Sequence, residues 1–240
     1  MQKPQTVVVT GASQGIGAAT VREFLARGYN VVATARHATT AGFASDSKLA
    51  TVDGDIGLAQ TAKNIAEVAI GRFGSLDHVV NNAGIFSTKP FTDYTIDEFR
   101  SFVSTNLEGF ILITQIAVTQ MLRQGTGGSI TTITASLAQN PIAGVTASIP
   151  MITKGGLESV TLSLASEYAK SNIRFNAVAP GVVDTPLHKG TPNDAMKSMS
   201  PMGQIVEPED IAKAVVYLAE ARHVTGEVLH VDGGAHSGRW

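Results

Sequence analysis

The chain has 240 residues, of which 43% are hydrophobic and 16% charged, with a formal net charge of −2. That balance describes a folded domain with a sizeable core and offers no basic surface for nucleic acid. With zero cysteines, disulfides, thiolate metal sites and a cysteine nucleophile are excluded, and the six histidines show no H-E-x-x-H or comparable metal spacing.

MQKPQTVVV runs straight into a strand without the long apolar stretch of a signal peptide. No segment reaches the ~18 uninterrupted apolar residues of a membrane span, so a cytoplasmic location and no membrane contact are expected. The stretch Thr6 to Gly17, TVVVTGASQGIG, reads as strand, tight turn and helix. Gly11, Gly15 and Gly17 let the backbone turn sharply and approach a ligand, and the first N–H groups of the helix then form a phosphate site. Val21, Phe24 and Leu25 keep helical spacing up to Gly28, and Asn30 to Thr34 is a second strand. A third strand is expected over Leu49 to Val52, a helix from Leu58 to Arg72, and a fourth strand over His78 to Asn81.

Thr95 and Glu98 form a T-x-x-E capping box that opens a long helix running toward Gly125. Strand five follows at Ser129 to Thr134, a helix at Pro150 to Ala169, and strand six at Ile173 to Ala179. The remainder reads as an irregular stretch to Val206, a helix at Pro208 to Glu220 and a last strand at Glu227 to Val231. This alternation predicts an α/β fold: one domain over residues 1–240, a Rossmann-type doubly wound parallel sheet of about seven strands with helices on both faces.

Several motifs stand in a consistent order: Thr10 through Gly17 with Ser13, Gln14 and Ile16, then Asp55-Ile56, Asn81-Asn82-Ala83-Gly84, Asn106, Ser136, Lys154, Pro180-Gly181 through Val183 and Thr185, and Val231-Asp232-Gly233-Gly234. Together they resemble the short-chain dehydrogenase/reductase superfamily over essentially the whole chain. The resemblance implies a nicotinamide cofactor whose pyrophosphate lies on Gly11 to Gly17. It further implies that Asp55 and Ile56 contact the adenine, Asn82 to Gly84 line the adenine ribose side, and Pro180 to Thr185 cover the carboxamide. A plain loop turn is the other reading of Asn82-Ala83-Gly84. Ala35 stands where members using NAD usually carry aspartate, and Arg36 follows it. Arg36 could pair with a 2′-phosphate or simply face solvent, and NADP(H) is preferred over NAD(H).

Carbonyl reductases of the family carry a tyrosine four residues before the lysine, where this chain has Pro150. The four tyrosines are Tyr29, Tyr94, Tyr168 and Tyr217, so no shift of register between Ser136 and Lys154 restores a phenol, and Tyr94 is the only outside candidate. Asn106, Ser136 and Lys154 are the catalytic residues that the resemblance carries over. Two functions follow: an NADP(H)-dependent oxidoreductase whose proton donor is not a tyrosine, or an NADP(H)-binding sensor or inert subunit with little turnover. An enoyl reductase would carry tyrosine seven residues before the lysine, where Ala147 stands.

Residues 186–206, with Leu187, Met196, Met199 and Met202, resemble a substrate lid suited to an apolar small molecule, although the methionines could equally pack the lid onto the body. The resemblance also implies a homotetramer or homodimer paired through the Thr95 and Pro150 helices; separately, the tail from Gly234 to Trp240, which ends in the only tryptophan, is expected at a second interface.

Overall fold

The computed structural model describes residues 3–238; Arg239 and Trp240, the end of the tail assigned to a second interface, lie outside the described residues. Seven parallel strands, β1 (Thr6–Thr10), β2 (Asn30–Ala35), β3 (Leu49–Asp53), β4 (His78–Asn81), β5 (Gly128–Ile133), β6 (Ile173–Pro180) and β7 (Val228–Val231), form one sheet in the order β3-β2-β1-β4-β5-β6-β7. The chain leaves β3 at one edge and returns beside β1, so the strand order reverses between β1 and β4. Ligand crevices open at such a reversal, outside the carboxyl ends of the strands.

Alternation along the strands builds two cores. Val8, Val32, Val79 and Ile130 face one side, packed with Ile65 of α2 (Ala59–Val68) and Ile113 and Met121 of α4 (Gly109–Gln124). Val7, Val9, Val31 and Val80 face the other, packed with Phe24 of α1 (Gly15–Ala26) and Ile211, Val215 and Leu218 of α7 (Pro208–Glu220). Strands β1 to β6 are therefore apolar on both faces, as a parallel sheet covered by helices requires, while the edge strand β7 packs only Leu229 and Val231 against the second core.

The capping box is present: Thr95 accepts from the Glu98 N–H, the Glu98 carboxylate accepts from the Thr95 N–H, and α3 (Ile96–Phe102) follows. The long helix to Gly125 is not uniform, because a π-helical turn at Val103–Glu108 separates α3 from α4 and carries Asn106. A second π turn, Ala69–Phe73, ends the helix before Gly74. Apolar spacing and caps do not record such one-residue insertions. By length and hydropathy Ile96–Gln124 is apolar enough to cross a membrane, and 44% of its most apolar window is buried inside the protein. Helix α5 (Ser148–Tyr168) begins two residues earlier than Pro150, which becomes its third residue, a first-turn position where a missing N–H costs nothing. The irregular stretch after β6 holds a 3₁₀ turn at Pro186–His188 and a short helix, α6 (Asn193–Lys197).

Candidate active site

One cleft of about 790 Å³ runs along the carboxyl ends of the strands. At its nucleotide end α1 starts at Gly15, with Gln14 in extended backbone, no side-chain cap and no acidic residue in the first turn. The leading N–H groups are thus left for a ligand, and the helix dipole favours an anion there. Gly11 and Gly15 have φ of +64° and +52°, the left-handed region that glycine enters at no steric cost. A Cβ on Gly11 would stand 2.7 Å from the Ala83 Cα, and one on Gly17 would overlap the Gly11 carbonyl and the Asn82 amide.

Asn82 is spent on this junction. Its Nδ2 donates to the carbonyls of Thr10 (2.8 Å) and Gly11 (3.0 Å), while Thr10 Oγ1 accepts from the N–H groups of Asn82 (3.1 Å) and Ala83 (2.9 Å). The Asn82-Ala83-Gly84 loop is therefore both a structural turn and part of the cleft wall.

Arg36, directly after β2, is exposed and lines the cleft beside His37. Asp53 faces elsewhere in chemical terms: its carboxylate accepts from the Thr39 N–H (2.9 Å) and hydroxyl (2.7 Å), which hold it below the ordinary aspartate range. Asp55 and Ile56 line the cleft, and Asp55 Oδ1 accepts from the Gly57 N–H at 2.9 Å. Ser13, Gln14, Ile16, Pro180, Gly181, Val183 and Thr185 line it as well.

At the other end stand Ser136 and Lys154, both buried. Lys154 Nζ donates to the Ile133 carbonyl at 2.7 Å; burial pushes its pKa down to about 8, against the opposing pull of the Glu158 carboxylate. Glu158, one turn along α5, is itself buried and accepts from Gln139 Nε2 at 2.7 Å. Gly84 faces this lysine so closely that a Cβ would come within 3.3 Å of its Nζ. Ser136 Oγ donates to Asp232 Oδ2 at 2.7 Å. The terminal motif after β7 thus belongs to the site. The motif order alone assigns no function to Asp232; an aspartate before a Gly-Gly turn after a strand is the one local signal of it.

Asn106 is not on the cleft wall. Its Oδ1 accepts from the Ile85 N–H (2.8 Å) and its Nδ2 donates to the Ile85 carbonyl (3.2 Å) and to Thr153 Oγ1 (2.9 Å), so it clamps the wall to α5 from behind. Pro150 is buried, does not line the cleft, and its carbonyl accepts from Thr153 Oγ1 at 2.9 Å. Of the lid residues, Leu187, Met196 and Met199 line the cleft, whereas Met202 is 64% exposed and does not.

Fold and site together define a parallel-sheet α/β protein whose cleft has an uncapped helix start at one end and a buried serine and lysine at the other. The family described as Enoyl-(Acyl carrier protein) reductase matches residues 11–236. The chain is 35% identical to the 3beta-hydroxysteroid dehydrogenase 1 of Eggerthella lenta, over 97% of this chain and 94% of that one. Among solved structures, 3-ketoacyl-(acyl-carrier-protein) reductase from Brucella melitensis complexed with NADH superposes with a TM-score of 0.91 at 28% identity, covering 98% and 99% of the two chains. ElxO with NADP bound superposes equally well, at 0.91 and 27% identity over 98% and 100%. The chain belongs to the short-chain dehydrogenase/reductase family of NAD(P)(H)-dependent oxidoreductases.

Proposed function

We propose that the protein is an NADP(H)-preferring oxidoreductase acting between the carbonyl and alcohol forms of an apolar small molecule, with a proton donor other than tyrosine. What carries this reading is a single cleft with an uncapped helix start and Arg36 at one end and buried Ser136 and Lys154 at the other. The residues fit a dinucleotide, because α1 starts in the cleft with no side-chain cap and no acidic residue in its first turn, and Arg36 lines the same cleft. When bound, the nicotinamide supplies or accepts the hydride.

In this reading the N–H groups from Gly15 to Gly17 hold the pyrophosphate, Arg36 pairs with a 2′-phosphate through its planar fork, and Asp55 and Ile56 flank the adenine. Lys154 holds the nicotinamide ribose, Ser136 hydrogen-bonds the reacting oxygen, and Pro180 to Thr185 cover the carboxamide. Asn106 is a positioning residue, acting through Ile85 and Thr153. Phe86, Ile142, Val145, Leu187, Met196 and Met199 give the substrate end its apolar lining.

Losing one charge-assisted phosphate contact costs about 1.5–3 kcal/mol, so NADPH should bind roughly tenfold or more tightly than NADH. Fluorescence titration of both cofactors against wild type and Arg36→Ala tests this, and equal wild-type affinities would refute the preference. A binder without turnover is the second reading. It is favoured by Pro150 and by the fact that Ser136 and Lys154 already spend a hydrogen bond on the protein. Cofactor-dependent turnover in a panel of carbonyls and alcohols separates the two. Enoyl reduction is disfavoured by Ala147.

We also propose assembly into a homotetramer or homodimer. Ile111 and Leu122 on α4 and Ile152 and Leu162 on α5 are 46–54% exposed, an apolar surface that a second copy would cover. Sedimentation showing a stable monomer at micromolar concentration would overturn this.

A further inference from the structure

Ser136 is buried in the cleft wall and its hydroxyl points away from the cleft, into the Asp232 carboxylate at 2.7 Å. Asp232 is 3% exposed, and the turn that follows it supplies two N–H donors and the His236 ring. The N–H of Gly234 donates to Oδ1 at 3.0 Å, the N–H of His236 to Oδ2 at 2.9 Å, and His236 Nδ1 lies 3.0 Å from both oxygens. Burial pushes the Asp232 carboxyl up, yet the hydrogen bonds from Ser136 and His236, the His236 charge and the Gly234 N–H outweigh it and hold the group below the ordinary aspartate range. The His236 side chain is 39% exposed and its ring stacks on His230 at 4.0 Å between centroids. A continuous line of groups therefore runs from the cleft wall through a buried carboxylate to an imidazole that meets water.

The order of these groups decides what they can do. In a serine nucleophile the imidazole stands between hydroxyl and carboxylate and takes the hydroxyl proton. Here the carboxylate stands in the middle, so His236 cannot take the Ser136 proton directly and the cluster is not built for acyl transfer. A serine already donating to a carboxylate has its lone pairs free toward the cleft and can accept a proton there as it gives its own away. That is proton transfer at a reacting oxygen.

We propose that Ser136, Asp232 and His236 form the proton relay of this enzyme. The proposal rests on the oxidoreductase reading above and names the group that replaces the phenol. In the oxidative direction the alcohol O–H proton passes to Ser136 Oγ while the Ser136 proton passes to Asp232 Oδ2. A bound oxidised nicotinamide would take the hydride from the C–H bond, and the carbonyl double bond would form with that loss. The products are the carbonyl compound, the reduced cofactor and one proton on Asp232; in this direction the His236 ring starts as its Nε2–H tautomer, so that Nδ1 takes that proton and the exposed ring releases one to water. Reduction runs the same steps backward. Ser136 touches the reacting oxygen; Asp232 and His236 act through it.

Two measurements test the relay, one of them independent of turnover. The Asp232 carboxyl is followed by ¹³C NMR as a function of pH in wild type, Ser136→Ala and His236→Ala. Each variant removes a donor to the carboxylate, so its titration should move upward in both; an unchanged midpoint in either variant overturns the relay. In the second measurement NADPH binding is read by fluorescence and NADPH-dependent reduction of 2,3-hexanedione by absorbance. His236→Ala should bind NADPH as wild type does, lose tenfold or more in kcat with the KM for NADPH unchanged, and recover part of the loss when free imidazole fills the space beside His230. Equal kcat in wild type and His236→Ala overturns the relay and leaves the oxidoreductase reading standing. A fall that imidazole does not restore assigns His236 to holding its turn and also overturns the relay. Wild-type protein that binds NADPH but does not reduce the diketone overturns the oxidoreductase reading and the relay together.

Discussion

The two ends of the cleft are built on different principles. At the α1 end the floor of the cleft is backbone, an uncapped helix start, glycines at positive φ and two turns so close that neither Gly11 nor Gly17 can take a Cβ, with Arg36, Asp55 and Ile56 at its rim. At the reaction end the wall is side chains, and each polar one is held by a partner far away in sequence, Ser136 by Asp232 and Lys154 by the Ile133 carbonyl. A site made of backbone has almost no chemical freedom. A site made of side chains can change its chemistry while the fold stays put, and Pro150 sits at that end.

The largest effect should come from breaking the backbone end. In Gly17→Ala the new methyl group meets the Gly11 carbonyl and the Asn82 amide, the same amide that ties the β1 turn to the β4 turn. Neither neighbour is a flexible side-chain tip that can swing aside. We expect NADPH affinity to fall by about a hundredfold or more, or the fold to lose about 3 kcal/mol or more. Fluorescence titration and urea unfolding read the two. Near-wild-type values in both would mean that the junction is looser than its contacts indicate.

That difference also explains how far the sequence could be read. Gly11, Gly15, Gly17 and the Thr95 capping box are local requirements, written within a few residues, and the structure places each where it was expected. The alternation of β-branched strands with amphipathic helices shows the parallel sheet in the same way, since the burial of β1 to β6 on both faces is a property of their own composition. The Val231-Asp232-Gly233-Gly234 motif carries no local sign of the role of Asp232, because its partner Ser136 lies 96 residues earlier. The place of Asn106 behind the wall was also hidden: it depends on a π turn that adds one residue to a helix without disturbing its apolar spacing enough to show. Met202 looked like a lid residue from its neighbours and is turned to solvent.

At the reaction end a smaller change is expected, and in the gaining direction. Position 150 lies one turn before Lys154 on α5, on the same face, and the first-turn location means that restoring an N–H there leaves the helix intact. Because Pro150 is buried and does not line the cleft, Pro150→Tyr should cost about 1–3 kcal/mol of stability through overpacking, read by urea unfolding. A phenol displaced toward Lys154 should raise the reduction of activated diketones by about tenfold. A positioned general acid contributes ~10²–10⁴, and the extra residue between Ser136 and Lys154 costs part of that through misplacement. The double variant Pro150→Tyr with Lys154→Ala should lose the gain. A folded Pro150→Tyr protein that binds NADPH and gains nothing would show that the reaction end has been rebuilt around the serine and not merely emptied.

The smallest effect concerns what the buried lysine does to the fold. Burial holds Lys154 at about 8, below the ordinary lysine value of 10.5 that it regains on unfolding. Between those two pH values the folded state binds fewer protons at this site than the unfolded state, so this group's contribution to stability rises with pH across the window. Below pH 8 the lysine is charged in both states and the contribution is flat at its least favourable level. A shift of this size corresponds to an upper bound of about 3 kcal/mol, and the Lys154 hydrogen bond to Ile133 together with relaxation around the site should bring the observed change to about 1–3 kcal/mol. Lys154→Met has no such proton to lose. Urea unfolding at pH 7.5 and pH 10 should therefore show wild type gaining about 1–3 kcal/mol relative to Lys154→Met, with all other titrations common to both proteins. A difference that stays constant between the two pH values would mean that the lysine keeps its ordinary affinity for protons despite its burial. The cost of desolvating the amine would then have to be recovered in the folded state, with Glu158 as the nearest opposite charge to do so.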